Sequence, residues 1–549
     1  MASGTASKME GPVFERVADT VANALAVHGV RLAFGMPGGE VVTLLDALGK
    51  AGVRFVLARQ ETSAAIMAAG AFAASGAPGL LVTTVGPGLA NAVNGIADAA
   101  QERVPLIVIS GVVDHSVRSR YTHQVFDHAA LLRPLVKGSF EIEAHGAGAT
   151  VARAIALACT EPMGPVHLDL APGTAALPAT DEPPVRVVRT VRPAPAIDDA
   201  ALCDVRKVLS KASRPLVIAG LEAVRARAGR GLEVILDRLQ APLITTYKAK
   251  GLVSEHHPLV LGGAGLSPLA DAELLALVRS ADVVLLAGYD PIEMRQGWLD
   301  PFAPDAMVIE LTAHPADHGM HRTDVRVCGD INQSVCALEV GLTGGESWAD
   351  GLSVQTRRKL RELFHVDCVW GPHAVFDALQ AGLPDDATVT VDSGAHRILL
   401  SQQMVMSRPQ ALLQSAGLCT MGAAVPLAIG FACARPGATV VAVLGDGGLE
   451  MCLGELGTIR DQHLPVVIVV LQDQSLGLIE LKQRQAGLAE AGVRLGSTRY
   501  EGIAAAFSGH GVRVANRTDL NTALADAFAR TRFTLIVCEI EVKDYVDRI

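Results

Sequence analysis

Residues 445–483 read GDGGLEMCLGELGTIRDQHLPVVIVVLQDQSLGLIELKQ. An apolar run, TVVAVL at 439–444, leads into this stretch, and a second, LPVVIVVLQ at 464–472, lies inside it. Continuous β-branched runs, rather than alternating ones, mark strands covered on both faces, and so a parallel sheet. The stretch therefore reads as strand, turn, helix, strand. Gly445, Gly447 and Gly448 let the backbone come close to an anion, and a helix N-terminus would point unpaired N–H groups at it. An aspartate in such a cradle repels phosphate unless a divalent cation stands between them, so Asp446 implies a metal of the Mg²⁺ class. A second oxygen ligand is expected at the end of the next strand, where Asp473 stands. Ligands of open parallel sheets bind at the carboxyl ends of the strands. A lone GDG is a weak signal, and a strand-end aspartate is commonly a turn former.

The same grammar runs through the rest of the chain. GLLVTTV and PLIVISG, then PLVIAG, PLITTY and ADVVLLAG, read as buried strands between helical segments such as VANALAVHGV and NAVNGIADAAQ. Two stretches look like linkers: the proline-rich DEPPVRVVRTVRPAPAIDD at 181–199 and the glycine-rich GLTGGESWADGLSVQTR at 341–357. They predict three α/β domains over residues 12–180, 200–340 and 358–549, each a doubly wound parallel sheet. There is an internal echo. Gly86 opens a turn 19 residues before Pro105, and Gly445 opens one 20 residues before Pro465; both prolines start a strand. Either two such units look alike by chance, or the first and third domains share one ancestry around a different middle domain.

Composition narrows the function. Of 549 residues, 50% are hydrophobic, so the chain is not disordered. A net charge of −10 and only 4% aromatics argue against nucleic acid. Nine cysteines form no C-x-x-C pair, which suits small buried thiols in a reducing cytoplasm. The N-terminus lacks the apolar core of a signal peptide, and no run reaches membrane-spanning length. A cytoplasmic protein without a membrane partner is expected.

The interval of 27 residues from Asp446 to Asp473, with an amide–acid pair closing an apolar strand, resembles the thiamine diphosphate (ThDP) motif. That motif ordinarily ends in Asn-Asn; here the pair is Gln472-Asp473. Several other segments then fall into register with the acetolactate synthase-like branch of ThDP enzymes. GVRLAFGMPGGEVVTLLDAL, RQETSAAIMAAGAFAASGAPGLLVTTVGPGLANAVNGIADA, GPVHLDLAP, VDSGAHR and SAGLCTMGAAVPLAIGFA are similar to its blocks, with Ala416 and Cys419 replacing glycines. The resemblance spans about residues 12–545 and implies a pyrimidine-binding domain, a middle Rossmann-like domain and a diphosphate-binding domain.

It also implies roles. Glu61 would hold the aminopyrimidine ring nitrogen; Met421 would support the bent cofactor. Pro37, Gly38, Asn91, Gly394, Ala395, His396, Gly447, Gly448, Leu476 and Gly477 would contact ThDP. The Ser475 carbonyl would be the third metal ligand, beside Asp446 and Asp473. Gln124 in THQVFD would face the reacting centre, with His123 where the family has phenylalanine, either a proton relay or a surface histidine. Thr84 and Gly38 stand where simple decarboxylases carry histidines. In the middle domain the family's flavin segment is broken, leaving Tyr289, Asp290 and Arg295 in ADVVLLAGYDPIEMRQGW, so FAD is left open and not favoured. The resemblance implies an enzyme that cleaves a 2-oxo acid or related 2-hydroxyacyl compound with ThDP and Mg²⁺, with carboligation as a competing outcome. It implies a homodimer or homotetramer with active sites at the subunit interface. A flavin-dependent oxidase of the same fold and a catalytically silent ThDP-binding regulatory paralogue are the alternatives.

Overall fold

The computed structural model describes residues 15–179, 200–344, 348–367 and 369–549. The proline-rich stretch 181–199, Cys368 and the first residues of the expected N-terminal domain lie outside the described residues. Three six-stranded sheets, parallel throughout, are interleaved with helices, as the continuous apolar runs predict. Successive side chains of each strand point to opposite faces, and both faces are covered, so alternation disappears.

The first sheet runs, edge to edge, Arg54–Leu57, Leu32–Met36, Gly79–Thr83, Leu106–Gly111, Val166–Leu170, Ser139–Glu141. One of its faces packs Leu80, Val82, Ile107, Ile109 and Leu168 into a core with helix Val17–Val27. The third sheet runs Leu412–Gln414, Thr388–Val391, Val440–Gly445, Val467–Gln472, Thr534–Glu539, His510–Val514. Numbered by chain order within each sheet, both read 2-1-3-4-6-5. The echo around Gly86 and Gly445 is thus part of a shared topology, which chance resemblance of two turns does not require.

The middle sheet differs. Its order is Val325–Cys328, Met307–Thr312, Val283–Ala287, Pro215–Ala219, Leu243–Thr246, Val260–Ala264, or 6-5-4-1-2-3, the dinucleotide-fold arrangement. The chain packs into two compact units, the first sheet in one, the middle and third sheets in the other. Within the second unit the middle and third sheets share one apolar cluster, in which Leu286, Trp298 and Phe302 join Val375, Phe376 and Leu400.

The second expected linker is only partly irregular. Trp348 is buried, donates its indole N–H to the Pro215 carbonyl at 2.8 Å, and so ties this segment to the middle sheet. Helix Leu352–Leu363 then begins inside the stretch. The glycine-rich composition hid it because Gly351, at φ +70°, is the turn that starts the helix rather than a break. No described helix is long and apolar enough to cross a membrane.

Candidate active site

The strands Val440–Gly445 and Val467–Gln472 are paired so that Gly445 lies opposite Leu471, bringing Asp446 and Asp473 to the same sheet end. Asp446 is the first residue of helix Asp446–Cys452, with Gly445 as its N-cap. Its carboxylate accepts from the N–H of Gly447 (2.9 Å) and of Gln474 (2.8 Å). Asp473 accepts from the Ser475 N–H at 3.0 Å. Burial raises Asp446 to about 6, and burial together with the Asp446 charge raises Asp473 to about 7. Ionising both groups in this position is disfavoured unless a positive charge lies beside them. Gln472, the other half of the pair, faces elsewhere: its amide binds the Thr498 carbonyl and the Arg513 guanidinium.

Ser475 is fixed by its hydroxyl, which donates to the buried Glu480 at 2.5 Å. Gly477 starts the next helix, and a Cβ there would lie 2.7 Å from the Asp473 carboxylate. Gly448 has a different reason from the anion contact expected of it. Its φ is not left-handed; a Cβ would lie 2.0 Å from the Asp392 carboxylate.

Asp392 ends strand Thr388–Val391, the neighbour of Val440–Gly445 across which the strand order reverses. This is the switch point where open sheets bind ligands. Asp392 is buried, accepts from the N–H groups of Gly422 (2.9 Å) and Ala423 (2.8 Å), and is raised by burial to about 6. It thereby fixes the loop that presents Met421. Arg397, one turn on and also buried, holds the other end of that loop through the Ser415 carbonyl and the Cys419 sulfur, the latter at 3.2 Å. Cys419 occupies a left-handed conformation, φ +61°, where the family places glycine.

These elements enclose a cavity of about 290 Å³ lined by Asp446, Asp473, Ser475, His396, Met421 and Leu476, among others. Gly394, Ala395, Gly447, Gly448 and Gly477 also line it. Two buried polar atoms on its wall, Ser393 Oγ and His396 Nε2, have no partner. Burial, then the neighbouring Arg397, push His396 down to about 3, so its ring is neutral. An unpartnered hydroxyl and an unpartnered ring nitrogen beside a carboxylate pair fit a metal-bridged diphosphate. Arg295, whose side chain is exposed, lines the same cavity from the middle sheet.

The first unit assembles the remaining candidates around one turn. Glu61 starts helix Glu61–Ser75, is 4% exposed, and accepts from the Asn91 amide at 3.3 Å. A Cβ on Gly88 would come within 3.5 Å of its carboxylate. Gly38, just after Pro37, must be glycine because a Cβ would strike Thr84 Oγ1, which donates to Glu40 at 2.6 Å. Gly86, at φ +66°, lies against Gln124, itself left-handed at φ +59°. His123 is exposed, its ring 6.2 Å from that of Tyr121.

Comparison with known proteins gives the family. The domains described as "Thiamine pyrophosphate enzyme, N-terminal TPP binding domain", "central domain" and "C-terminal TPP binding domain" match residues 15–131, 202–338 and 392–538. The acetolactate synthase isozyme 2 large subunit of Escherichia coli (strain K12) is 30% identical over 512 residues, 92% of each chain. The acetolactate synthase of Bacillus subtilis (strain 168) is 29% identical over 546 residues, 97% of this chain and 95% of that one. The chain belongs to the thiamine pyrophosphate enzymes. Thiamine pyrophosphate is ThDP, and within that family this ThDP enzyme is acetolactate synthase-like.

A dinucleotide does not fit the corresponding crevice of the middle sheet. A Cβ on Gly220 would lie 2.5 Å from the Gly288 carbonyl, which instead takes the Glu222 N–H at 3.2 Å. The Glu222 carboxylate accepts from the Ala313 N–H at 2.9 Å. The chain's own carbonyl and carboxylate stand where a pyrophosphate would need donors.

Sequence reading missed Asp392, Ser393, Arg397 and the cavity position of Arg295. Asp392 had a signal, a strand-end acid directly before the Gly-x-His segment; Arg295 had none, because its loop comes from another sheet. The folded value of Asp392, about 6 against 3.8 unfolded, lies on the raised side, so its stabilising contribution is complete below pH 4 and is lost as pH rises through 6. The stability of wild type relative to Asp392→Asn should fall across that window by up to about 3 kcal/mol, measured by urea unfolding at each pH.

Proposed function

We propose that this ThDP enzyme cleaves a 2-oxo acid, or a related 2-hydroxyacyl compound, and that ligation to a second carbonyl competes with release of the aldehyde. The cavity at the switch point carries the reading: a carboxylate pair, two unpartnered polar groups and a Met421 wall lie together in about 290 Å³. Asp446, Asp473 and the Ser475 carbonyl would hold Mg²⁺, with His396 and Ser393 toward the diphosphate. When bound, ThDP supplies an electron sink for breaking the bond beside the substrate carbonyl. Glu61, buried and oriented by Asn91, holds a proton at the pyrimidine ring nitrogen. Met421 supports the cofactor's bend from a loop clamped by Asp392 and Arg397. Arg295 offers a guanidinium to a substrate carboxylate at the cavity mouth.

Gln124 hydrogen-bonds but does not titrate, and Thr84 and Gly38 stand where simple decarboxylases carry histidines, so protonation that would release aldehyde early is disfavoured. The names of the relatives, acetolactate synthases, support ligation. Glu61 and Asp446 belong to separate units of the chain, and we propose that the enzyme works as a homo-oligomer whose subunits complete each other's sites, in the cytoplasm. The domain limits at 12–180, 200–340 and 358–549 belong to the same reading. FAD is not part of it, since the middle crevice is closed by Gly288 and Glu222.

Asp446→Ala should abolish ThDP binding in calorimetry with Mg²⁺ present; unchanged affinity would refute the metal assignment. Glu61→Gln should still bind ThDP but slow deuterium exchange at the cofactor's C2 by about 10²–10⁴-fold, the usual worth of a positioned proton-transfer group; NMR follows it, and wild-type rates would exclude Glu61 from this role. With an accepted 2-oxo acid and an added aldehyde, wild type should yield ligated product. His123→Phe should raise the ligation-to-aldehyde ratio. Free aldehyde alone from both proteins would replace the carboligase by a plain decarboxylase or lyase.

A further inference from the structure

Away from that cavity, the first sheet carries a buried polar cluster that the proposed reaction does not use. Ser110 and Asp169 are register partners on adjacent central strands, and His167 lies two residues before Asp169 on the same face. That face is the one opposite the core built on Ile107, Ile109 and Leu168. His128 enters from above as the first residue of helix His128–Leu132, whose N-cap Asp127 accepts from the Ala130 N–H at 2.8 Å. The side chains of His128 and His167 are 1% and 0% exposed.

Four atoms converge: Ser110 Oγ, His128 Nδ1, His167 Nε2 and one oxygen of Asp169. Ser110 Oγ lies 2.6 Å from His167 Nε2, 2.9 Å from Asp169 and 3.4 Å from His128 Nδ1. Asp169 lies 2.9 Å from His128 Nδ1 and 3.2 Å from His167 Nε2. Five of the six edges of a tetrahedron are therefore in contact. With Asp169 ionised, the hydroxyl and the two imidazole nitrogens bring at most three hydrogens to those five edges. Without a metal, those hydrogens serve all five edges only by sharing, each N–H reaching two acceptors, and the two imidazoles and the carboxylate bring their ligand atoms within reach of a single ion. A cation at the centre would replace the shared hydrogens with one lone pair from each of the four atoms.

We propose that Ser110, His128, His167 and Asp169 hold one divalent cation of the zinc class. Zinc bonds to nitrogen and oxygen of about 2.0–2.2 Å put tetrahedral ligands about 3.3–3.6 Å apart. The observed edges open by a few tenths of an ångström to reach this, the shortest one by more. Two imidazoles with one carboxylate favour zinc over magnesium or calcium, which take all-oxygen sets. Four protein ligands leave no open position, so the ion is structural, and His167 Nδ1 is held from outside by Ser139 Oγ at 3.3 Å. The ion would anchor the foot of the exposed segment 121–127, four residues from Gln124, to the two central strands.

The test loads wild-type enzyme, saturated with ThDP and Mg²⁺, with Zn²⁺, removes loose metal on a chelating resin, and measures zinc by mass spectrometry. One Zn²⁺ per chain is expected in wild type and in Asp446→Ala, which lacks the other carboxylate pair. Asp169→Asn should lose at least ten-fold in zinc affinity and His167→Gln should lose the ion. Co²⁺ in its place should give the visible absorption of a tetrahedral site. If a variant fails to fold, anomalous diffraction at the zinc edge from wild type decides alone: a peak among the four side chains is expected. Absence of zinc, or zinc found only beside Asp446 and Asp473, overturns the proposal and leaves a hydrogen-bonded cluster.

Discussion

Two carboxylates at the ends of neighbouring parallel strands govern this molecule. Asp446 and Asp473 are brought together by the pairing of Val440–Gly445 with Val467–Gln472, and their hydrogen bonds come from the backbone turns that carry them. Burial makes both reluctant to ionise; the Asp446 charge adds to this at Asp473, and the Glu450 charge adds to it at Asp446. A group that binds a cation and an anion together removes that penalty. The polar atoms left unpartnered nearby, His396 Nε2 and Ser393 Oγ, lie on the same cavity wall, so the second unit is organised for a ligand carrying both charges.

Much of this was legible in the chain because the relevant signals are local. Continuous runs such as VVAVL and VVIVVL announce doubly covered strands, and the glycine turn with an aspartate after one of them lies at the cavity. What stayed hidden depends on contacts between distant segments. Gly448 reads as a residue clearing room for an anion, yet it clears room for Asp392, more than fifty positions earlier. Gln472 stands beside Asp473 at the end of the motif, yet its amide is taken by Arg513 and Thr498. Helix Leu352–Leu363 was lost in a glycine-rich stretch because its start is a left-handed glycine and its anchor, Trp348, finds its acceptor on Pro215.

The first and third sheets share one strand order, and both place a turn after their third strand at the same switch point. The two turns have diverged chemically. At Gly86 the surroundings are Glu61, Asn91 and Gln124, groups that suit a neutral, hydrogen-bonding ring. At Gly445 they are Asp446, Asp473 and His396, groups that suit a metal and phosphate. One backbone solution, a glycine turn feeding a helix at the centre of a parallel sheet, thus carries two different sets of side chains.

The middle sheet shows how a ligand-binding topology can be kept while its crevice is closed. Its order is that of dinucleotide folds, but Gly220 and Gly288 allow their own loops to meet closely, the Glu222 N–H bonding the Gly288 carbonyl. Glycine here serves protein–protein approach rather than approach to a phosphate. Closing the crevice also fixes where the following loop goes: Tyr289 is buried, and the chain passes through Pro291–Glu293 before Arg295 reaches the cavity on the third sheet. A sheet of nucleotide-binding topology then contributes one cation to its neighbour's site. The same residues that break the flavin segment in sequence, Tyr289 through Arg295, are those that build this contribution.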